Sequence, residues 1–493
     1  MIYPKYPNTF WSFCYALWFI GRKAAFPPLG LMTIAAMLPK EWKIRLVDLN
    51  VRDLENKDIE WAEMVFISAM LVQKDSAQKI ITRCKKAGKT VVAGGPAFSA
   101  QPELFERVDH FVLNEAEVTL PLFLKDFERG VAKHIYNYDT SDKSKRPALS
   151  KTPIPLWSLI NLSDYATMSI QCSRGCPYNC DFCDIIVMNG RIPRIKTIEQ
   201  ILRELQSLYD AGWRGPIFIV DDNFIGNKLH VKKMLPELIS WQKKHGYPFR
   251  FTTEASVNLA KMEELMNLMS EANFFKVFLG IETTNIDSLK ECGKFQNIKV
   301  DLLKSVKIIQ QHGMQVMGGF IVGFDNDPVT VFKSQIKFIE ETGIVTAMVG
   351  LLTALPKTPL WYQLRKENRL LGLTTGKNTN DILNFIPKMG EEMLISGYKE
   401  ILSKIYSPRA YYKRISVFLK NYKPTVKGGK ISRNDIQALL KSVWKIGLLS
   451  RTRFFYWRLI IRTIFTKIKN LPIVVELMIQ GVHLLRVAKE ATR

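Results

Sequence analysis

This 493-residue sequence predicts an α/β protein made of two successive parallel-sheet units followed by a helical, basic C-terminal region. The first observation behind this is that apolar strand-like runs alternate with helical stretches through most of the chain, the pattern of parallel sheets with crossover helices. The second is a polar stretch after residue 132 that interrupts the alternation and divides it in two. The third is that strand signals stop near Pro359, where basic helical segments take over.

At 47% apolar content the chain can bury two or three cores, since a single core stops growing near ~250–300 residues. In the first unit, residues 1–132, strands are expected at 44–48, 64–68, 90–93 and 110–113, with helices at 31–38, 75–87 and 119–127. Gly94-Gly95-Pro96 turns the chain directly after a strand, and the unit reads as Rossmann-like. Met1-Ile2-Tyr3-Pro4 falls inside what should be its first strand. Residues 133–160, with Asp139, Ser141, Asp142, Ser144 and Pro147, read as a linker. The second unit, 161–358, offers strands at 168–171, 217–221, 249–253, 276–281, 315–322 and 345–351. Six βα units are too few for a closed eight-fold barrel, so an open, partial (β/α)6 barrel is expected, with its site at the C-terminal strand ends. Residues 359–493 form the helical basic region, broken by a Lys-, Gly- and Pro-rich stretch at 423–430.

Charge is uneven along the chain. Of the net +24, residues 398–493 hold 21 Lys or Arg against four acids, so the rest is close to balanced. Seven scattered cysteines form no secreted-type framework and indicate a reducing, cytoplasmic setting. Residues 6–21 carry no charge, but Pro7 and Asn8 interrupt them and Lys5 is the single basic side chain upstream, so a signal peptide is not expected. Arg458, Arg462, Lys467 and Glu476 break the most apolar C-terminal stretch, and no transmembrane helix is expected. Six scattered histidines give no constellation, so no catalytic acid or base is assigned.

The strongest chemical signal is Cys176-Pro177-Tyr178-Asn179-Cys180-Asp181-Phe182-Cys183, a C-x3-C-x2-C loop directly after a strand. Three thiolates on one short loop suit three irons of a 4Fe-4S cubane and leave the fourth iron without a protein ligand. A zinc site usually takes four ligands in paired sets, and no His or second Cys pair lies near this loop. Cys172 is outside the spacing and reads as a buried small residue.

This loop resembles the signature of the radical S-adenosylmethionine (SAM) superfamily, C-x3-C-x-aromatic-C after the first barrel strand, with Phe182 as the aromatic. The resemblance implies that Cys176, Cys180 and Cys183 hold the cluster. It further implies that the vacant iron chelates SAM, whose reductive cleavage yields a 5'-deoxyadenosyl radical. It extends to Asp221 and Asp222, which end a strand where the superfamily binds the SAM amino group, and to Glu254 in Phe251-Thr252-Thr253-Glu254-Ala255. Acids at such ends also simply cap the next helix. Gly280-Ile281-Glu282-Thr283 and Gly318-Gly319-Phe320-Ile321-Val322-Gly323 are similar to further strands lining SAM.

A Rossmann-like domain ahead of such a barrel resembles the cobalamin-binding subgroup. The echoes are Pro27-Pro28-Leu29-Gly30-Leu31, Val47-Asp48-Leu49-Asn50, Val92-Ala93-Gly94-Gly95-Pro96 and Phe111-Val112-Leu113-Asn114-Glu115-Ala116-Glu117. The resemblance implies a corrin held by loops after the strands, with Gly94, Gly95 and Pro96 as the contact positions. No Asp-x-His-x-x-Gly offers a histidine to cobalt, and a purely structural Rossmann domain is the alternative. Lys294-Phe295-Gln296-Asn297 and Tyr406-Ser407-Pro408-Arg409-Ala410-Tyr411-Tyr412 resemble the group with a helical C-terminal extension, which includes hopanoid methylases and tetraether-lipid ring synthases.

The expectation is therefore a radical methylase using a 4Fe-4S cluster, SAM and cobalamin, an external electron donor, and a small-molecule or lipid substrate. Cobalamin-independent carbon–carbon bond formation or cyclisation is the first alternative, and a non-enzymatic iron-sulfur protein the remote one. Residues 454–462 mix aromatics, aliphatics and cations, so they either lie on an anionic membrane or pack on the barrel with solvated cations. RNA-modifying methylthiotransferases are rejected, because their second cluster needs three more cysteines and the first domain has Cys14 and Cys84 alone. No nucleic-acid partner is expected.

Overall fold

The computed structural model describes residues 1–372, 376, 382–425, 427–428 and 433–493. Six strands build the first sheet: β1 (Ile2–Tyr3), β2 (Val47–Asp48), β3 (Met64–Ser68), β4 (Thr90–Gly94), β5 (His110–Val112) and β6 (Ile135–Tyr136). They are all parallel, in the order β2-β1-β3-β4-β5-β6. Val65, Phe66 and Ile67 of β3 and Val91, Val92 and Ala93 of β4 are buried on both faces, as strands covered by helices on both sides must be.

Two expectations change here. The strand expected at 44–48 contracts to Val47–Asp48. Ile135–Tyr136, inside the stretch read as linker, adds a sixth strand by pairing with Phe111 and Val112, so the polar segment begins only after it. The β1 strand exists as expected, although it is two residues long.

The second sheet comprises β7 (Met168–Ile170), β10 (Pro216–Ile219), β11 (Arg250–Ala255), β12 (Phe274–Glu282), β13 (Gln315–Val322) and β14 (Ala347–Leu351), with an antiparallel hairpin of β8 (Ser173–Arg174) and β9 (Arg194–Ile195) after β7. Its order, β14-β13-β12-β11-β10-β7, runs with the chain and every neighbour is parallel. This is the open (β/α)6 barrel that the six strand signals predicted. Along β11 the residues alternate between buried (Phe251, Thr253, Ala255) and half-buried (Thr252, Glu254), so the second set faces an open lumen.

The helical C-terminal region packs on the open β14 edge. Tyr406 Oη donates to the Ala347 carbonyl at 2.6 Å and accepts from the Ala347 amide. The fully buried Arg414 donates to the Ile405 and Val345 carbonyls. The uncharged 6–21 stretch packs here as well, through its buried residues: Phe10 stacks on Tyr406, and His483 Nε2 bonds the Thr9 carbonyl at 2.9 Å. Burial pushes His483 down to about 4, which keeps it neutral.

The helical run Arg453–Ala491 is long and apolar enough to cross a membrane by length and composition, despite its charges. It consists of helices Arg453–Lys467 and Leu471–Ala491 joined by the turn Ile468–Asn470, and the second helix buries Val474, Leu477, Met478 and Leu484 in the core. The break expected at 423–430 lies partly outside the described residues.

Candidate cluster and cofactor site

The cysteine loop sits between β8 and β9, so a hairpin rather than a free loop presents it at the C-terminal end of the barrel. Asp221 accepts from the Cys172 and Ser173 amides at 2.7 and 3.0 Å and from Ser173 Oγ at 2.7 Å. Asp222 accepts from the Gly175 amide at 2.7 Å and Asn189 Nδ2 at 2.9 Å. Both acids, expected to meet SAM, brace the hairpin. Gly175, at φ +101°, could not carry a side chain, since a Cβ would lie 2.9 Å from the Gly190 carbonyl. Burial raises the carboxyl of Asp221 to about 6, against its three donors.

Phe182 packs edge-on against Phe324 at 6.0 Å, and the Asp181 amide donates to the Cys292 carbonyl at 3.0 Å, anchoring the far side of the loop. The phenyl ring is a packing anchor, with Lys294 Nζ 6.0 Å from its centroid. Cys172 is buried, as expected.

Glu254 is different from the other acids. It is half-buried on the lumen face of β11 and accepts no hydrogen bond from any described residue. Burial, then the neighbouring Asp222, Asp221 and Glu282, raise its carboxyl to about 7. An unpaired carboxylate in such a place favours an incoming cation.

Around the thiols the sequence reading missed several partners. Asn223 Nδ2 lies 3.9 Å from Cys176 Sγ, and its carbonyl accepts from the Ser256 amide at 3.2 Å. Gln296 Nε2 lies 3.7 Å from Cys180 Sγ. Lys294 pairs with Glu282, and although burial works against its charge, Glu282 and Cys180 hold the ammonium above the usual lysine range. Gly280 and Gly319 make room for side chains here: a Cβ on Gly280 would lie 2.6 Å from Lys294 Nζ, and one on Gly319 2.9 Å from the Phe278 ring. No sequence spacing announces these contacts, although Glu282 and Lys294 lie inside motifs noted above.

Among the described residues no three His, Cys, Asp or Glu side chains converge as ligands of one metal ion would. The donor set instead fits a larger body: three thiols on one loop, two amide N–H groups directed at their sulfurs, and a buried cation beside them. Burial raises all three thiols, so binding there releases protons.

The first domain meets this site through its C-terminal strand ends. After β5, Glu115 and Glu117 bind Arg174 at 2.9 Å each, and Glu115 also holds Arg194 at 2.8 Å. At the end of β2, Asp48 accepts from Tyr165 Oη at 3.0 Å. After β1, Trp11 packs on Phe218 and Phe278 at 6.2 and 5.4 Å in the barrel lumen, with Phe26 at 6.5 Å. The strand order reverses between β1 and β3, which is where an open sheet offers its ligand crevice.

Gly94, Gly95 and Pro96 end β4 and open a short helix. A Cβ on Gly94 would lie 2.6 Å from the Val112 carbonyl, and one on Gly95 2.4 Å from Ser68 Oγ, so the domain's own packing accounts for both glycines.

Family models match over three consecutive stretches: a B12 binding domain at 20–124, the radical SAM superfamily at 170–339, and the Domain of unknown function (DUF4070) at 358–493. An uncharacterized methyltransferase of Synechocystis sp. is 45% identical, covering 93% of this chain and 85% of its own. The hopanoid C-2 methylase of Rhodopseudomonas palustris is 34% identical, covering 100% and 94%. Among solved structures, the radical SAM methyltransferase TsrM from Kitasatospora setae, with cobalamin and a [4Fe-4S] cluster bound, superposes with a TM-score of 0.64 at 14% identity over 99% of this chain and 98% of that one. The cobalamin-dependent radical enzyme OxsB, with aqua-cobalamin bound, gives 0.59 at 16% identity, covering 95% and 77%. At such identities the two structures speak for the fold.

Proposed function

Because this chain belongs to the cobalamin-dependent radical SAM methylases, we propose that it methylates an unactivated carbon of a lipid, in the cytoplasm and in contact with an anionic membrane. The observation that carries the reading is the convergence of two C-terminal strand edges, one from each parallel sheet, around Arg174 and Trp11. A reaction needing two cofactors and a substrate together requires such a junction.

Cys176, Cys180 and Cys183 would hold the 4Fe-4S cluster, and the loops after β1, β3 and β4, including Gly94, Gly95 and Pro96, the corrinoid. When bound, the cluster supplies the electron that cleaves SAM and the corrinoid supplies the methyl group. Glu254 would accept a hydrogen bond from the N–H of the SAM amino group. Asp221 and Asp222 act one step back: by bracing Ser173 and Gly175 they fix where the cysteine loop stands. Asn223 and Gln296 direct N–H groups at two of the thiolates, which stabilises negative charge on sulfur. Trp11, Phe26, Phe218 and Phe278 give the lumen an apolar wall against which a hydrocarbon body can lie and from which water is excluded. The units 1–132, extended by the strand Ile135–Tyr136, 161–358 and 359–493 are the domains we assign to these tasks, with the polar segment up to residue 160 joining the first two. An external reductant delivers the electrons, and no nucleic acid takes part.

The lipid reading is supported by the hopanoid methylase relative and by the aromatic lumen. The test is anaerobic purification with cobalamin supplied, followed by iron, sulfide and corrin quantification and incubation with methyl-labelled SAM and a lipid extract. Stoichiometric corrin with label in lipid is the expected result. Cluster without corrin, or 5'-deoxyadenosine without methyl transfer, would overturn the assignment in favour of radical cyclisation.

A further inference from the structure

We propose that the outer layer of the C-terminal region is a docking surface for an anionic lipid bilayer. The proposal deepens the lipid-substrate reading above by naming the partner and the residues that reach it, and it rests on that reading for its purpose.

Helix Arg453–Lys467 is apolar on two opposite sides. Tyr456, Leu459, Ile460 and Thr463 are buried against the protein. At the 100° per residue of an α-helix, Phe454, Ile461 and Phe465 fall on the far side, and they are 69, 51 and 84% exposed. A helix on the surface of a globular protein normally shows water a polar face there. Arg458 and Arg462, both exposed, flank the outer stripe.

A second stripe runs through the preceding helix Arg433–Ser442 and the π-helical turn Val443–Leu448. Ile436, Leu440, Trp444 and Leu448, four residues apart, are each at least 50% exposed. The two segments pack on one another, since Trp457 Nε1 donates to the Gly447 carbonyl at 2.9 Å and Tyr456 Oη lies 2.9 Å from Ser442 Oγ. The first domain's edge joins them: Lys441 Nζ donates to the Trp18 carbonyl at 3.0 Å and stands 4.9 Å from the Trp18 ring, itself 52% exposed.

Charge selects the occupant. Residues 433–470 hold nine Lys or Arg and one acid, Asp435. Among the described residues, Lys445, Arg451, Arg453, Arg458, Arg462 and Lys469 have no carboxylate within ion-pair distance. A second copy docking through the same face would set these cations against their equivalents, because a two-fold interface pairs a patch with itself. A bilayer with anionic headgroups neutralises the cations and accepts Phe454, Phe465 and Trp444 at the acyl boundary. The companion helix Leu471–Ala491 lies in the core, so the arrangement is peripheral attachment rather than a span.

The test uses the reconstituted full chain in flotation with phosphatidylglycerol-containing vesicles against phosphatidylcholine vesicles, without SAM or reductant. Expected is binding to the anionic vesicles at least ~tenfold above the neutral ones, weakened by salt. The exposed-site double variant Phe454→Ser/Phe465→Ser and the charge reversal Arg458→Glu/Arg462→Glu should each lose that binding while keeping the parent's circular dichroism and melting midpoint. Equal binding to both vesicles, no binding to either, or unchanged binding by both variants would overturn the proposal. So would a dimer that the Phe454→Ser/Phe465→Ser variant dissociates, which makes the face a contact between copies. Failure of the methylase reading looks different: vesicle binding stays intact while no labelled methyl reaches lipid. Failure of docking alone leaves methylation of detergent-solubilised substrate unchanged.

Discussion

Arg174, two residues before Cys176, is held 2.9 Å from Glu115 Oε2 and 2.9 Å from Glu117 Oε1, which ties the cluster hairpin to the first domain. These side chains are nearly withdrawn from solvent, at 16, 7 and 4% exposure, so the geometry is consequential. Burial raises Glu117, but Arg174 outweighs it and leaves the carboxyl below the ordinary value of 4.5. A depressed folded value means that the contribution is present above that pH and is lost as pH falls through the folded value. Glu117→Gln should cost about 2 kcal/mol at neutral pH in denaturant unfolding and lower iron retention. The difference from the parent should vanish in the acid limb; a difference that persists to acid pH would contradict the pairing.

Glu254 carries the opposite sign. Its folded value is raised to about 7, so the stability of the neutral form is complete below the unfolded value and declines as pH rises through about 7. Without SAM, Glu254→Gln should melt higher than the parent at pH ~8 and equal to it near pH ~5. With cluster present, SAM affinity of the parent should rise through the same window and that of the variant should stay flat, as equilibrium dialysis would read.

The amide contacts to sulfur predict a redox effect. Hydrogen bonds to ligating sulfur favour the reduced cluster, so removing one lowers the midpoint. Gln296→Met, which keeps length and removes the donor to Cys180, should lower the potential in an EPR-monitored titration without changing iron content. An unchanged midpoint would show that this amide does not serve the cluster.

Gly280→Ala tests the packing beside the thiols. Its Cβ would meet Glu282 Oε1 and Lys294 Nζ, so the ion pair has to move. Overpacking of this kind costs about 1–3 kcal/mol. The variant should unfold at lower denaturant and bind less iron, whereas Gly212→Ala, at a position where a Cβ meets nothing, tests only the strain of a positive φ.

Trp11→Ala should act on the substrate alone. The indole lies against Phe218 and Phe278, and its loss should raise KM at least ~tenfold, about 1.4 kcal/mol, with cluster content unchanged. A fall in kcat with unaltered KM would remove Trp11 from the lumen wall's binding role.

Much of this was legible in the residues themselves. β12, β13 and β14 announce themselves because parallel strands buried over most of their length are written as largely apolar runs, and β13 matches its expected bounds residue for residue. The C-x3-C-x2-C loop is equally local, since eight consecutive residues carry all three thiols on one loop whatever surrounds them. Less visible was β6, whose two residues are strand only because β5 supplies partners. The backbone partners of Asp221 and Asp222 were hidden for the same reason: a strand-ending acid looks the same in sequence whatever donors a backbone turn nearly fifty positions away brings to it.

The sequence by itself determined the two parallel sheets, the cysteine loop and the basic tail, because periodicity and short spacing act within a few residues. Only the tertiary structure decided that Glu254 is left without a partner among the described residues, that Asn223 and Gln296 turn N–H groups toward sulfur, that Glu115 and Glu117 clamp Arg174, and that the outer side of helix Arg453–Lys467 is apolar with none of the described residues covering it. Each of these depends on which donor, cation or packing surface arrives from a distant segment, and that is a property of the assembled sheets rather than of any stretch of chain.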